Sequence, residues 1–303
     1  MLTFEFLPAG PGDACLIRWD GHAILVDGGP HSTYARAIKG RVKRLDAVCV
    51  THVDDDHVGG VLAMLSELRR EREAHLDPSI VVERLWFNHA AEVLNAPADA
   101  VQGASFAQGG RLRTLATALG IRRNEPFGDL IQVGDRARFH GLDITVVAPG
   151  PAALQALAAK WQRQDPLVAA AAVKDHSVPN LSSVALHVTD GTSSALLTGD
   201  ARADHLLEGL AACGFDRPHV NVLKLPHHGS AKNVTAEFFE WVTADRYVIS
   251  TDGTKHGHPD DETLRLLVGA RPAGARYSVE FTHPIAAAER RLAELRRELK
   301  AAG

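Results

Sequence analysis

The sequence predicts an α/β fold, and two patterns support this prediction. Short apolar runs rich in β-branched residues recur between Gly, Pro and Asp turns, which is typical of strands in a sheet. Longer stretches between them carry apolar residues at helical spacing. The predicted strands of the first part of the chain cover residues 2–7, 14–19, 22–26, 45–51 and 82–87. Helices are predicted at 61–74 and, with an amphipathic pattern, at 284–301.

The whole chain, residues 1–303, is predicted to form a single domain. Its 303 residues are 45% hydrophobic, which is enough to bury a substantial core. No low-complexity linker and no repeat of solenoid length divides the sequence. The segment 89–128 is rich in alanine, glutamine and glycine, and it interrupts the run of strands. We expect this segment to be a largely helical insert that acts as a lid over the substrate.

Residues 51–60, THVDDDHVGG, concentrate side chains that can bind metal. They form a His-x-Asp-x-Asp-His pattern made of His52, Asp54, Asp56 and His57. In an extended segment, side chains two residues apart point to the same side, so the first three can converge while His57 joins as a helix begins. The alternative is a solvated acidic loop in which Asp55 or Asp56 caps the helix. A cap does not need flanking histidines, so the pattern favours a site for two adjacent cations.

Two later strands also end in polar side chains. Asp200 ends the run Leu-Leu-Thr-Gly-Asp, and the pair His227 and His228 ends the run Leu-Lys-Leu-Pro-His-His. A further histidine, His258, lies in a His-Gly-His-Pro turn. Loops at strand ends commonly gather active-site residues. An aspartate at a strand end often only forms a turn. The aspartate and the histidines therefore indicate a site together more strongly than any one of them does alone.

Taken together, these residues resemble the motifs of the metallo-β-lactamase superfamily, specifically the branch that contains the hydrolase domain of the ComEC-type DNA-uptake protein. The matching motifs, in chain order, are Gly12-Asp13-Ala14, Val26-Asp27-Gly28-Gly29, the run 52–57, Thr198-Gly199-Asp200, His227-His228-Gly229-Ser230 and His256-Gly257-His258-Pro259. The resemblance runs from residue 3 to about residue 260. It implies a four-layer αββα sandwich, in which two sheets pack face to face with helices outside.

The sequence departs from the commonest superfamily pattern at two places. Asp54 stands where the second histidine of His-x-His-x-Asp-His is usual. The histidine of the third motif is not evident between the second motif and Asp200, where His176 is a candidate. The sequence from Asn180 through Ser183 instead resembles the Asn-x-x-Ser element of ComEC-like members, which is followed by a strand. Asp200 matches the residue that bridges both metals in hydrolase members.

The resemblance implies two divalent metal ions, with zinc the first choice and manganese the second. The first position would use His52, Asp54 and Asp200. The second would use Asp56, His57, Asp200 and one of the two adjacent histidines, of which we prefer His227. Two such ions can hold and acidify a bridging water while polarising a substrate oxygen.

The remaining candidate residues are assigned by position. Asp56, His228 and His258 are the predicted catalytic residues, although His258 could simply cap its turn. The residues predicted to orient the ligands or contact substrate are Asp27, Asn180, Ser183 and Lys224.

The leading functional hypothesis is metal-dependent hydrolysis of phosphodiester bonds in nucleic acid, a nucleotide or a related phosphoester. One alternative is hydrolysis of a carboxylic ester, thioester or lactone at the same centre, and another is a metal-stabilised scaffold without activity. A net charge of −4 provides no general basic field, so nucleic acid would have to be held chiefly at the metals. No apolar run reaches about 18 residues, and the three cysteines form no CxxC pair, so we expect a cytoplasmic protein without a membrane part.

Overall fold

The computed structural model describes residues 1–94, 104–162, 180–272 and 274–302. Within these ranges, the strands of the first sheet and of a small two-stranded ribbon are β1 (Thr3–Phe6), β2 (Cys15–Trp19), β3 (His22–Val26), β4 (Arg44–Leu45), β5 (Ala47–Cys49), β6 (Val81–Val82), β7 (Arg84–Trp86) and β8 (Arg122–Arg123). The first sheet has the order β1-β2-β3-β5-β7-β8, and the ribbon pairs β4 with β6.

The second sheet consists of strands that follow one another across the sheet in chain order. Among the described residues they are β9 (Arg136–Phe139), β10 (Leu142–Ala148), β11 (Ala185–Thr189), β12 (Ser194–Leu197), β13 (His219–Lys224), β14 (Thr243–Ile249) and β15 (Ser278–Phe281). Neighbours from β9 to β12 are antiparallel, and those from β12 to β15 are parallel.

Helices cover the outer faces of the two sheets. Their bounds are α1 (His31–Thr33), α2 (Asp55–Glu73), α3 (Ala90–Leu94), α4 (Ala104–Leu119), α5 (Pro151–Gln162), α6 (Ala203–Ala212), α7 (Ala236–Trp241), α8 (Asp261–Gly269) and α9 (Ala286–Ala302). A single π-helical turn, Tyr34–Ile38, continues α1. No helix in the described part of the chain is both long and apolar enough to cross a membrane.

The alternation of side chains along the strands explains the layers. In β2, Leu16 belongs to the core beneath α2 and α4, whereas Ile17 belongs to the core between the sheets. In β13, Val222 lies between the sheets and Leu223 belongs to the core beneath α6 to α9. Successive side chains of a strand point to opposite faces, so each sheet contributes to two cores. The result is the four-layer αββα sandwich, and the predicted fold class is confirmed.

Predicted and observed elements differ mainly at their boundaries. The predicted strand 45–51 is divided at Asp46, whose buried carboxylate accepts hydrogen bonds from the backbone N–H of Ala23 and from His22. The helix predicted at 61–74 begins earlier in the structure, at Asp55. The prediction started too late because Gly59 and Gly60 weaken the helical pattern of the first turns. The predicted C-terminal helix 284–301 corresponds to α9.

The segment 89–128 contributes to the body of the sandwich. Leu112, Leu115 and Ala116 of α4 are buried in the core that α2 shares with the first sheet. β8 pairs with β7 and forms an edge of that sheet. The lid-like role of this insert stays a prediction, and its residues 95–103 lie outside the described part of the chain.

Glycines allow the start of α2 to approach the loop after β3 very closely. A Cβ added to Gly60 would lie 2.0 Å from the carbonyl oxygen of Gly28. The backbone N–H of Gly60 donates to the carbonyl of Gly29, and that of Gly28 donates to the carbonyl of His57, each at 2.8 Å. This contact fixes where α2 begins relative to the sheet.

We expect the substitution Gly60→Ala to lower the free energy of unfolding by about 2–4 kcal/mol, because the new methyl group collides with backbone. Chemical denaturation with urea measures the change. Gly110→Ala in α4 is the matched control, since a Cβ there meets nothing within 4 Å. It should leave stability equal or raise it by about 0.5–1 kcal/mol. Equal stability of the two variants would contradict the close-contact explanation.

Candidate metal centre

Side chains that can bind metal meet where parallel strands of both sheets end. β3 runs parallel to β5 in the first sheet, and β12, β13 and β14 run parallel in the second. The carboxyl ends of these strands lead into Asp27, His52, Asp200 and the pair His227 and His228. Both halves of the chain therefore contribute to one centre.

The start of α2 brings the residues of the first motif into the centre. Asp54 is the N-cap residue, yet its side chain makes no capping hydrogen bond. It lies at the rim, with Oδ2 3.7 Å from Nε2 of His52. Asp56 and His57 are buried in the first turn of the helix, where the helix dipole stabilises negative charge. The side chain of Asp54 therefore remains available to a cation.

Asp200 stands between two pairs of imidazoles. Its Oδ1 lies 3.4 Å from Nε2 of His57 and 3.6 Å from Nε2 of His228. Its Oδ2 lies 3.7 Å from Nε2 of His52 and 3.7 Å from Nε2 of His227. Because each oxygen faces a different pair, this carboxylate can bridge two cations.

The two adjacent histidines both have a left-handed backbone conformation, which directs their side chains apart. His227 and His228 have φ of 44° and 55°, a conformation that costs about 1–2 kcal/mol for each residue with a side chain. The side chain of His228 reaches Asp56 and His57, and one ligand atom from each of the three lies within 4.8 Å of the others. From the sequence we expect His227 at this second position. The structure brings His228 there and places His227 beside the first position.

Hydrogen bonds leave the Nε2 atoms of two histidines directed at the centre. The Nδ1–H of His57 donates to Oδ2 of Asp27 at 2.8 Å, and the Nδ1–H of His228 donates to the carbonyl of Ser250 at 2.7 Å. A carbonyl oxygen only accepts, so the second bond requires the proton on Nδ1. Histidine ligands of metals commonly donate their other N–H in this way.

Buried polar atoms without hydrogen-bond partners test whether cations fit. They include Nε2 of His52, His57 and His228 and Oδ1 of Asp200. A buried polar atom left without a partner is costly, and these atoms belong to side chains that converge on the same space. Nitrogen and oxygen donors of these types suit divalent transition metals. The residues therefore fit the metal pair that the motifs imply.

Asp13 and Lys224 form a buried ion pair behind the ligands. The Lys224 ammonium contacts Oδ2 of Asp13, donates to the carbonyl of Gly199 at 2.8 Å, and lies 3.8 Å from Oδ1 of Asp200. From the sequence we expect Lys224 either to orient the ligands or to contact substrate. Its side chain is only 4% exposed and contacts carboxylates of the centre, an arrangement that favours the first of these two roles. Asp13 belongs to a quoted motif but was not among the predicted site residues.

Other side chains hold the candidate ligands in position. The hydroxyl and backbone N–H of Thr51 donate to Asp27, each at 2.8 Å. The backbone N–H of Asp200 donates to Oγ of Ser183 at 2.9 Å. The amide of Asn180 lies 3.1 Å from Nδ1 of His227. Asp27, Ser183 and Asn180 thus contact candidate ligands, and their predicted roles stay predictions. Thr51 was missed, because threonine near a strand end carries no distinctive signal.

His258 lies beside the centre and not among its inner donors. Its ring centroid is 5.9 Å from that of His227, and its Nδ1 is 3.2 Å from Oδ1 of Asp260. The side chain is 13% exposed. The contact with Asp260 orients the ring through Nδ1.

The charges of the centre are set by burial and by close neighbours. Burial alone lowers the pKa of His57, but the carboxylates of Asp200 and Asp27 outweigh it and raise the pKa well above 6.5. Burial also opposes charge on His228, and Asp200 and Asp13 raise its pKa in turn. Burial lowers the pKa of His227 to about 4, although Asp200 acts in the opposite direction. In the metal-free chain, burial therefore favours the neutral form of His227, and the neighbouring carboxylates favour the protonated form of His57.

We expect metal uptake to strengthen as pH rises through neutrality and to release protons, because a cation must displace the proton on His57. The stability that protonated His57 gives the metal-free chain is complete below about pH 6.5 and is lost as pH rises through its higher folded pKa. Calorimetric metal titrations in two buffers of different ionisation enthalpy count the released protons. Uptake that is independent of pH between 6 and 8.5 would contradict the assignment.

A four-layer sandwich with carboxylate and imidazole donors at its strand ends defines a metallo-hydrolase fold. The chain belongs to the metallo-β-lactamase superfamily, whose sequence profile matches residues 7–253. The family predicted from the motifs is confirmed.

Individual relatives match more weakly. ComE operon protein 3 of Bacillus subtilis (strain 168) is 24% identical over 227 residues, which cover 75% of this chain and 22% of that protein. Ribonuclease Z of Alkaliphilus oremlandii (strain OhILAs) is 32% identical over 91 residues, covering 27% of this chain and 28% of that protein. The chain thus matches less than a third of either relative. The first match agrees with the predicted ComEC-type branch.

Among solved structures, CmlA, a diiron β-hydroxylase from Streptomyces venezuelae, is similar with a TM-score of 0.51 and 13% sequence identity. The match covers 92% of this chain and 53% of that chain. At this identity the similarity shows the fold alone.

Proposed function

We propose that this protein is a dinuclear metal-dependent phosphodiesterase. The observation that carries the proposal is the position of Asp200, whose two oxygens face two separate pairs of imidazoles. A bridging carboxylate in that position can hold two cations close together, as phosphoester-cleaving two-metal sites require.

The proposed ligands divide into two sets. The first position would be held by His52, Asp54, His227 and Asp200. The second would be held by Asp56, His57, His228 and Asp200. Each set mixes imidazole with carboxylate, so zinc is the preferred ion and manganese the second choice. In this assignment His227 supplies a second imidazole to the first position. His176, the candidate for the third-motif histidine, lies outside the described part of the chain.

Phosphodiesters suit this centre better than neutral esters for two reasons. Two divalent ions, when bound, would supply charge stabilisation and an activated water for attack on an anionic tetrahedral group. The matched segment of Ribonuclease Z belongs to a protein named for cleaving RNA, which supports the same bond type. Among the chain's own residues, His258, oriented by Asp260, would give a proton to the leaving oxygen.

A substrate panel tests the proposal. Stripped protein, reloaded with zinc or with manganese, is offered bis-nitrophenyl phosphate, single- and double-stranded DNA, RNA and cyclic dinucleotides. A chromogenic cephalosporin, a thioester and a homoserine lactone form the second group. We expect metal-dependent cleavage in the first group and up to two ions per chain by elemental analysis.

Two results would overturn this function. Efficient lactone, thioester or lactam hydrolysis without phosphodiester cleavage would favour the ester alternative. Two bound ions without turnover of either group would favour a metal-stabilised scaffold.

A further inference from the structure

Lys255 contacts a proposed metal ligand from the loop that follows β14. Its Nζ donates to Oδ2 of Asp56 at 2.9 Å. The lysine side chain is 38% exposed and the aspartate side chain 12% exposed. The ammonium therefore reaches inward from solvent to the mouth of the second metal position. Lys255 is not one of the proposed metal ligands.

Among the described residues, two lysines contact carboxylates of the centre. Their side chains differ in how freely they can move. Lys224 is enclosed and committed to Asp13 and the carbonyl of Gly199. Lys255 contacts Asp56 and is partly exposed to solvent. Of these two cations, only Lys255 can change partners without unpacking the core.

The loop that carries Lys255 is tied by its own hydrogen bonds. The backbone N–H and the hydroxyl of Thr254 donate to Oδ1 of Asp252, and the N–H of Gly253 donates to Oγ1 of Thr251. These bonds hold the backbone next to Lys255 in place. A change of partner then requires only rotation of the four-carbon side chain, which is flexible and ends in a compact charge.

A cation in the second position and the ammonium of Lys255 would compete for the same carboxylate. The positive charges of the cation and of the ammonium also repel each other when both lie beside Asp56. When Asp56 turns to a divalent ion, Lys255 loses its partner beside the place where the anionic group of a substrate must lie.

We propose that Lys255 is a substrate-binding residue that exchanges Asp56 for a phosphoryl oxygen when the second metal position fills. The inference rests on the proposed function and adds a specificity device to it. A lysine that gains its partner only from an anionic substrate favours phosphodiesters over neutral esters and lactones. It also makes metal loading and anion binding depend on each other.

The proposal is tested by two titrations that need no turnover. In the first, zinc is titrated into stripped protein. Lys255→Met should bind the second ion about two- to fivefold more tightly than wild type, because an exposed ion pair of modest strength no longer competes. In the second, inorganic phosphate is titrated into zinc-loaded protein freed of excess ion. Lys255→Met should bind phosphate about tenfold more weakly, since a charge-assisted hydrogen bond is lost.

Two further variants act as controls. Lys255→Arg retains the cation and should bind phosphate nearly as wild type does. Lys232→Met removes another exposed lysine, in the segment after His228, and should change neither titration.

The opposite signs of the two effects distinguish this role from a structural one. Weaker zinc binding by Lys255→Met would show that the lysine supports the loop and would overturn the proposal. Unchanged phosphate binding would also overturn it. The phosphodiesterase proposal fails separately, if the loaded wild-type protein cleaves no phosphodiester whatever its affinity for phosphate.

Discussion

Asp200→Ala protein is expected to retain at most one tightly bound divalent ion per chain and to lose activity by about 10³-fold or more. The carboxylate lies between His57 and His228 on one side and His52 and His227 on the other. Its removal deprives both positions of a ligand and leaves two cations to repel each other. Several kcal/mol of transition-state stabilisation are then lost, and each 1.36 kcal/mol is a factor of ten.

Elemental analysis and turnover of the best phosphodiester measure the two effects together. Asp204→Ala is the matched control, because this aspartate lies in the first turn of α6, close by in sequence, and pairs at the surface with Arg202. The control should keep both ions and full activity. An Asp200→Ala protein with two ions and normal turnover would show that the carboxylate does not bridge.

Lys224→Met is expected to destabilise the metal-free protein by about 3–5 kcal/mol, because it leaves the buried carboxylate of Asp13 without its cation. Burial would raise the pKa of Asp13, and it is Lys224 above all that holds this pKa far below its usual value. Bound metal ions would restore positive charge nearby. The loss of stability should therefore be smaller in the loaded protein.

Urea denaturation of stripped and loaded protein measures both losses. Lys39→Met is the comparison, since Lys39 pairs with Glu67 at the surface. We expect little change from it in either state. A Lys224→Met protein as stable as wild type without metal would contradict the role of this buried pair.

Local spacing was sufficient to predict the donors that lie near one another in sequence. His52, Asp56 and His57 follow from the alternation of an extended segment that turns into a helix. Asp200 follows from its place at the end of a strand. Their roles as ligands stay predictions that metal analysis must test, whereas the fold class and the family are confirmed.

Spacing could not predict which way adjacent residues point in an irregular turn. The two left-handed residues His227 and His228 direct their rings to opposite sides of Asp200, and nothing in the sequence specifies that backbone. The pairing of Asp13 with Lys224 depends on the approach of two strand ends from different sheets. Such long-range contacts leave no periodic signal, so tertiary structure was needed to find them.

The meeting of strand ends from both sheets also bears on how the protein is made. His52, Asp56 and His57 emerge from the ribosome long before Asp200 and His228, and no segment of the chain contains the full donor set by itself. A growing chain therefore presents only an incomplete set of metal-binding side chains until the second sheet has formed. If the centre holds two ions as proposed, their capture would be a late event of biosynthesis and would join the two halves of the sandwich as a reversible cross-link.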